Sequence, residues 1–147
     1  MTLALKEANK AREIDEVPIG CVIVKDNKVI ARGHNLRESK QDPTLHAEMV
    51  AIRKASKKLK SWRLEGCDIY VTIEPCIMCS GAIIQSRIKT VIYGAPDLKG
   101  GGLGSSTNVL DANGINHRPE VISGVMKDEC AEIISNYFKE KRKLKLG

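Results

Sequence analysis

Between Thr44 and Ala95 the apolar residues switch their spacing from helical to alternating and back, which leaves few architectures open to the chain. Ala47, Val50, Ala51, Ala55 and Leu59 recur at helical spacing behind Thr44, the predicted N-cap. Asp68 to Ile73 reads as a strand, Cys76 to about Ser86 as a helix opened by Pro75, and Thr90 to Ala95 as another strand. Strands that alternate with helices predict a sheet covered by helices on its faces.

The flanks extend this pattern. Leu3, Leu5, Ala8 and Ala11 mark a short opening helix that ends before Val17 and Pro18. Ile19 to Lys25 and Val29 to Asn35 surround Asp26-Asn27 and read as an antiparallel hairpin whose first strand is covered on both faces. Glu120 to Ser123 is a last short strand, and Cys130, Ile133, Ile134, Tyr137, Lys141 and Leu144 trace an amphipathic terminal helix. The glycine-rich segment Lys99 to Ser106 is expected at the surface. No linker or repeat divides the chain, so one domain is expected over residues 1–147: an α/β fold, specifically a three-layer α/β/α sandwich with a mixed central sheet.

Composition excludes several classes. Aromatic residues are scarce, one Trp, three Tyr and one Phe, so the core is built from Ile, Val, Leu and Ala. No run of about 18 apolar residues is available for a membrane span. Met1 to Lys10 lacks the apolar block of a signal peptide, and a cytoplasmic location is expected. The net charge of +6 favours a polyanionic partner. Its excess gathers in Lys139, Lys141, Arg142, Lys143 and Lys145, which would equally suit a solvated helix end.

Five cysteines and no signal argue for metal or thiol chemistry over a disulfide framework. His46-Ala47-Glu48 and Pro75-Cys76-Ile77-Met78-Cys79 each open a predicted helix at the same end of the sheet. Alone, the CxxC could be a redox pair, half of a zinc site or two small core residues. Together the motifs offer one imidazole and two thiolates, a set that binds Zn2+ and leaves the fourth position to water. Cys76 and Cys79, three apart, share a helix face near its positive end. Cys21, Cys67 and Cys130 could each offer a fourth ligand, but Cys21 and Cys130 fit the buried faces of their elements and Cys67 lies before a strand, so all three read as structural. Glu48 is not needed as a ligand and stands where a carboxylate could carry protons; the alternative is a first-turn Glu that only favours its own helix.

His46-Ala47-Glu48 followed by Pro75-Cys76 and Cys79 resembles the zinc-dependent nucleoside deaminase superfamily. Longer segments are similar to the bacterial tRNA adenosine deaminases: Glu16-Val17-Pro18-Ile19-Gly20, Gly33-His34-Asn35, Asp42-Pro43-Thr44, Val71 to Cys79, Ser86-Arg87-Ile88, Tyr93-Gly94-Ala95, Asn116-His117-Arg118 and Tyr137-Phe138. The resemblance covers nearly the whole chain and implies a cytidine-deaminase-like fold, one zinc per subunit, a homodimer and a tRNA anticodon stem-loop as substrate. It implies hydrolytic attack at C6 of a flipped adenine, with Glu48 shuttling protons and ammonia leaving; this family is itself a standard example of that chemistry.

By the same resemblance Asn35 hydrogen-bonds the base, and the amides of Ala47 and Cys76 contact base and intermediate. Asn35 could equally close an Asx turn at the hairpin exit. Asp97 and Lys99 match positions beside the family's RNA groove. Phe138 could stack on a splayed base, with Tyr137 in the core stripe. His117 reads as a structural hydrogen-bond partner. Competing readings are a free-base deaminase of the same superfamily, a noncatalytic zinc-stabilised RNA-binding module, and a CxxC oxidoreductase that leaves His46 and Glu48 without work.

Overall fold

The computed structural model describes residues 1–146, and Gly147, the last residue of the expected domain, lies outside the described residues. Five strands, β1 (Gly20–Lys25), β2 (Lys28–His34), β3 (Cys67–Ile73), β4 (Thr90–Ala95) and β5 (Glu120–Ile122), form one sheet in the order β2-β1-β3-β4-β5. β1 pairs antiparallel with β2 and β3, whereas β3, β4 and β5 run parallel. The sheet is therefore mixed, as expected.

Local chemistry explains the hairpin. Asp26 and Asn27 take φ values of 50° and 61°, the left-handed pair that a tight two-residue turn between twisted strands requires. Four of the six residues of β1 are buried, which accounts for its nearly continuous apolar run.

Helices α1 (Thr2–Glu13) and α5 (Lys127–Leu146) cover one face of the sheet; α3 (Ala47–Leu59) and α4 (Ile77–Gln85) cover the other, completing the three layers. The main core lies under α3 and α4, where Ile23, Ile69, Val71, Ile83, Ile88 and Val91 are inaccessible or nearly so. Burial of each such side chain contributes roughly 1.5–3 kcal/mol relative to exposure.

Four expectations need correction. The buried face of α1 is Ala4, Glu7, Ala8 and Ala11, with Leu3 and Leu5 only half-buried, because α1 packs on the sheet through its small residues. Thr44 does not cap α3. Its hydroxyl and amide turn back to Asp42 Oδ1 at 2.6 and 2.9 Å, and His46 takes the N-cap position. Leu144 is 77% exposed because the core-facing positions of α5 stop at Tyr137. The segment Lys99 to Ser106 is only partly superficial, since Gly101, Gly102 and Leu103 are buried.

A one-turn helix, α2 (Arg37–Lys40), is too short to leave a periodic signal in the sequence. The carboxylate of buried Glu16 holds it, accepting the amides of Glu38 at 3.1 Å and Ser39 at 2.7 Å and the Ser39 hydroxyl.

Candidate metal centre and its surroundings

His46 and Cys76 occupy the N-cap positions of α3 and α4 in extended backbone, and Cys79 lies in the first turn of α4. Both helices thus aim their positive ends into one space. His46 Nδ1 lies 3.7 Å from Cys76 Sγ and 3.6 Å from Cys79 Sγ. The three ligand atoms lie within 4.8 Å of one another, positioned to hold a metal ion. Among the described residues this is the one group of three such side chains. Cys21, Cys67 and Cys130 are buried elsewhere, as their sequence positions suggested.

Cys76 is pulled down to about 4, chiefly by its hydrogen bond with Cys79, against the opposing effect of burial and with help from His46. Cys79 is pushed far up by that same bond and by burial. His46 is raised, first by its hydrogen bond with Cys76.

Glu48, in the first turn of α3, is 3% exposed and is pushed up to about 7 by burial, with the Cys76 charge adding to the shift and His46 opposing it. A carboxyl group poised there can both take and return a proton near neutral pH.

The remaining predicted positions are distributed around this centre. Asn35 is buried and closes an Asx turn: its Oδ1 accepts the Arg37 amide at 3.1 Å and its Nδ2 donates to the Val17 carbonyl at 3.4 Å. Ala47 is fully buried at the first position of α3, where helix amides lack intrahelical partners. Asp97 Oδ1 accepts the amides of Lys99 and Gly100, both at 3.1 Å, leaving the Lys99 side chain exposed.

Phe138 is 44% exposed and stacks edge-on against Tyr137, which is buried as expected and donates its hydroxyl to Asp15. Phe138 and Tyr137 line a groove of about 470 Å3 together with Arg37, Lys141 and Lys145 and the acidic Asp15 and Glu38; none of the three metal-ligand residues lines it. His117 hydrogen-bonds the Ile88 carbonyl through Nε2 at 2.7 Å, the structural role predicted for it.

Sequence reasoning missed three buried carboxylates. Glu7 meets Lys10 at 2.6 Å and His34 Nδ1 at 3.3 Å, just before Asn35. Glu16 anchors α2, just after Asn35. Glu74 anchors the glycine-rich loop. Side-chain identity offered no signal for Glu16 and Glu74, because their partners are mostly backbone amides.

The glycines explain how closely that loop approaches. A Cβ on Gly101 would lie 2.3 Å from Glu74 Oε2, and one on Gly102 would lie 2.9 Å from the Cys76 carbonyl carbon. The Gly102 amide also donates to the Pro75 carbonyl at 2.8 Å. The segment is consequently a wall beside Cys76.

Known proteins share this arrangement. Residues 1–142 match the family described as MafB19-like deaminase. The tRNA-specific adenosine deaminase of Bacillus subtilis is 51% identical over 145 residues, spanning 99% of this chain and 90% of that one. Its counterpart from Aquifex aeolicus is 46% identical over 142 residues, spanning 97% and 93%. A structure solved in work on A-to-I editing by tRNA:A34 deaminases at the wobble position superposes with a TM-score of 0.88 at 48% identity, covering 90% of this chain and 96% of that chain. A guanine deaminase from Nitrosomonas europaea shares the fold, with a TM-score of 0.79 at 20% identity, over 92% of this chain and 81% of that one. With family and relatives agreeing along nearly its whole length, the chain belongs to the MafB19-like deaminases and, among them, to the tRNA-specific adenosine deaminases.

Proposed function

We propose that the protein converts adenosine to inosine at the wobble position of a tRNA anticodon loop, releasing ammonia. The observation that carries this is the identity of 51% to a tRNA-specific adenosine deaminase across 99% of the chain. Guanine deaminases share the fold at much lower identity, so the free-base reading ranks second.

The donor set fits zinc. Zn–S and Zn–N bonds of about 2.3 and 2.1 Å at a tetrahedral angle separate nitrogen from sulfur by about 3.6 Å. The separations here are 3.6 and 3.7 Å. His46 Nδ1, Cys76 Sγ and Cys79 Sγ would hold the ion, with both sulfurs as thiolates. Zinc bound there supplies a water acidic enough to act as nucleophile near neutral pH.

The chain's own residues do the rest. Glu48 accepts a proton from the attacking water and delivers it to a ring nitrogen of the adenine; it then takes the proton of the new C6 hydroxyl and gives it to the departing amine, so that C6 becomes a carbonyl as ammonia leaves. Asn35 retains a second amide hydrogen beyond its bond to Val17 and binds the base from its fixed turn, and the amide of Ala47, at the first position of α3, contacts the base or the intermediate. Asp97 and Lys99 contact the RNA from the loop beside Cys76. Phe138 stacks on a splayed base, and the lysines beside it meet phosphates.

Residues 1–147 act as one catalytic domain. The protein works as a homodimer: α4 is apolar nearly all round, and Ile77, next to Cys76, is 62% exposed, which favours a covering partner copy. A tRNA substrate places the reaction in the cytoplasm.

The test is incubation of zinc-loaded protein with an anticodon stem-loop carrying adenosine at the wobble position and, separately, with free guanine, cytosine and adenosine. Inosine in the hairpin is expected. Ammonia release from the free bases alone would reject the assignment.

A further inference from the structure

Glu74 follows the last residue of β3 and precedes Pro75-Cys76. Its carboxylate is 2% exposed and accepts from a single loop: the Asp97 amide reaches Oε1 at 3.2 Å, the Leu103 and Ser105 amides reach Oε2 at 3.0 and 3.2 Å, and the Ser105 hydroxyl reaches Oε1. Its own amide donates to the Ala95 carbonyl at 2.9 Å, tying the ends of two parallel strands together.

A buried carboxylate is costly unless its lone pairs are filled, and here N–H and O–H donors fill them. The loop so gathered carries Asp97 and Lys99 at one end. At the other it closes on the metal-ligand helix, where Gly101 bridges Cys76 and Gly102 bonds Pro75. One side chain therefore gathers both ends of the loop that walls the site, and the Gly101 and Gly102 contacts join its middle to the Pro75-Cys76 segment.

We propose that Glu74 is a positioning residue for RNA docking: it presets the 97–105 loop beside the metal-ligand helix and acts on substrate affinity, leaving metal retention to His46, Cys76 and Cys79. The kinetic part of this proposal rests on the deaminase assignment; the structural part does not. Holding the wall in place before RNA arrives removes an ordering cost from binding.

Glu74→Gln keeps the volume but replaces one acceptor oxygen with an NH2 group facing N–H donors. Amide hydrogen exchange at Leu103 and Ser105 is expected to accelerate by about tenfold while β3 and β4 stay protected. KM for the stem-loop should rise by about tenfold with kcat changed by less than about threefold and metal content near one per chain. Ser105→Ala removes only the hydroxyl donor and should shift exchange and KM in the same direction by less, which keeps the test available should the Gln variant fail to fold.

Unchanged exchange in the loop of a folded Glu74→Gln or Ser105→Ala protein would overturn the proposal. So would a fall in kcat that tracks metal loss at constant KM, since Glu74 would then be supporting Cys76. If wild-type protein fails to deaminate the hairpin, the deaminase assignment falls, and the exchange measurement still decides whether Glu74 sets the loop.

Discussion

Nδ1 of His46 stands 3.6 Å from Sγ of Cys79, although 33 positions separate them in the chain. The two helix starts are thus held together with the correct nitrogen of the imidazole turned inward. Removing either partner breaks a three-donor set that has no spare among the described residues. Cys79→Ala should therefore lose stoichiometric zinc, measured by atomic emission, and with it inosine formation. Chelation of the wild type should abolish turnover, and added zinc should restore it.

Glu48 is expected to separate chemistry from structure. Glu48→Gln preserves shape and hydrogen-bonding size but cannot accept the water's proton. Zinc content and folding should persist while kcat falls by roughly 100- to 10,000-fold. A single-turnover assay on the hairpin measures this directly, and near-normal turnover would show that another group carries the proton.

Glu16 should govern part of the acid limb of stability. Burial pushes its carboxyl upward, but hydrogen bonds from Ser39 and Glu38 outweigh this and hold it below the ordinary value of 4.5. A depressed carboxylate stabilises the folded state fully above the unfolded value, and that contribution disappears as pH falls through the lower, folded value. Thermal unfolding from pH 7 to 3 should show Tm dropping below about pH 4.5. Glu16→Gln should be less stable at pH 7, by on the order of 1–3 kcal/mol, with a flatter acid limb.

At Gly33 in β2 the limit is close backbone approach. An added Cβ would lie 2.5 Å from the Ala47 carbonyl and 2.8 Å from the Ala51 amide nitrogen, both of them α3 backbone atoms that cannot rotate away. Gly33→Ala should destabilise the protein by roughly 1–3 kcal/mol or more in urea unfolding. Because α3 begins beside His46, zinc affinity should weaken with it.

Phe138 offers the opposite case. It is substantially exposed at the rim of a groove that also contains Arg37, Lys141 and Lys145. Phe138→Ala should leave Tm within about 2 °C of wild type, as surface changes within about 0.5 kcal/mol do. KM for the stem-loop should rise by roughly tenfold, consistent with loss of one base-stacking contact. Tyr137→Phe should do the reverse and lower Tm, because it deletes the hydroxyl bonds to the Asp15 carbonyl and carboxylate.

By itself the sequence determined the alternation of elements, the Asp26-Asn27 turn and the two helix starts that bear His46, Cys76 and Cys79, because each depends on residues within a few positions of one another. Local spacing also placed Cys130 and Tyr137 on the buried side of α5. Thr44 and Leu144 show the limit of that reasoning: an Asx turn at Asp42 removed the first from its cap, and the end of the core-facing stripe left the second in solvent. Only the tertiary structure decided that Glu74 reaches Leu103 and Ser105 and that Glu16 reaches Glu38 and Ser39. Those carboxylates bind mainly backbone amides, which every non-proline residue supplies alike, so side-chain identity carries no trace of the pairing until the chain has folded.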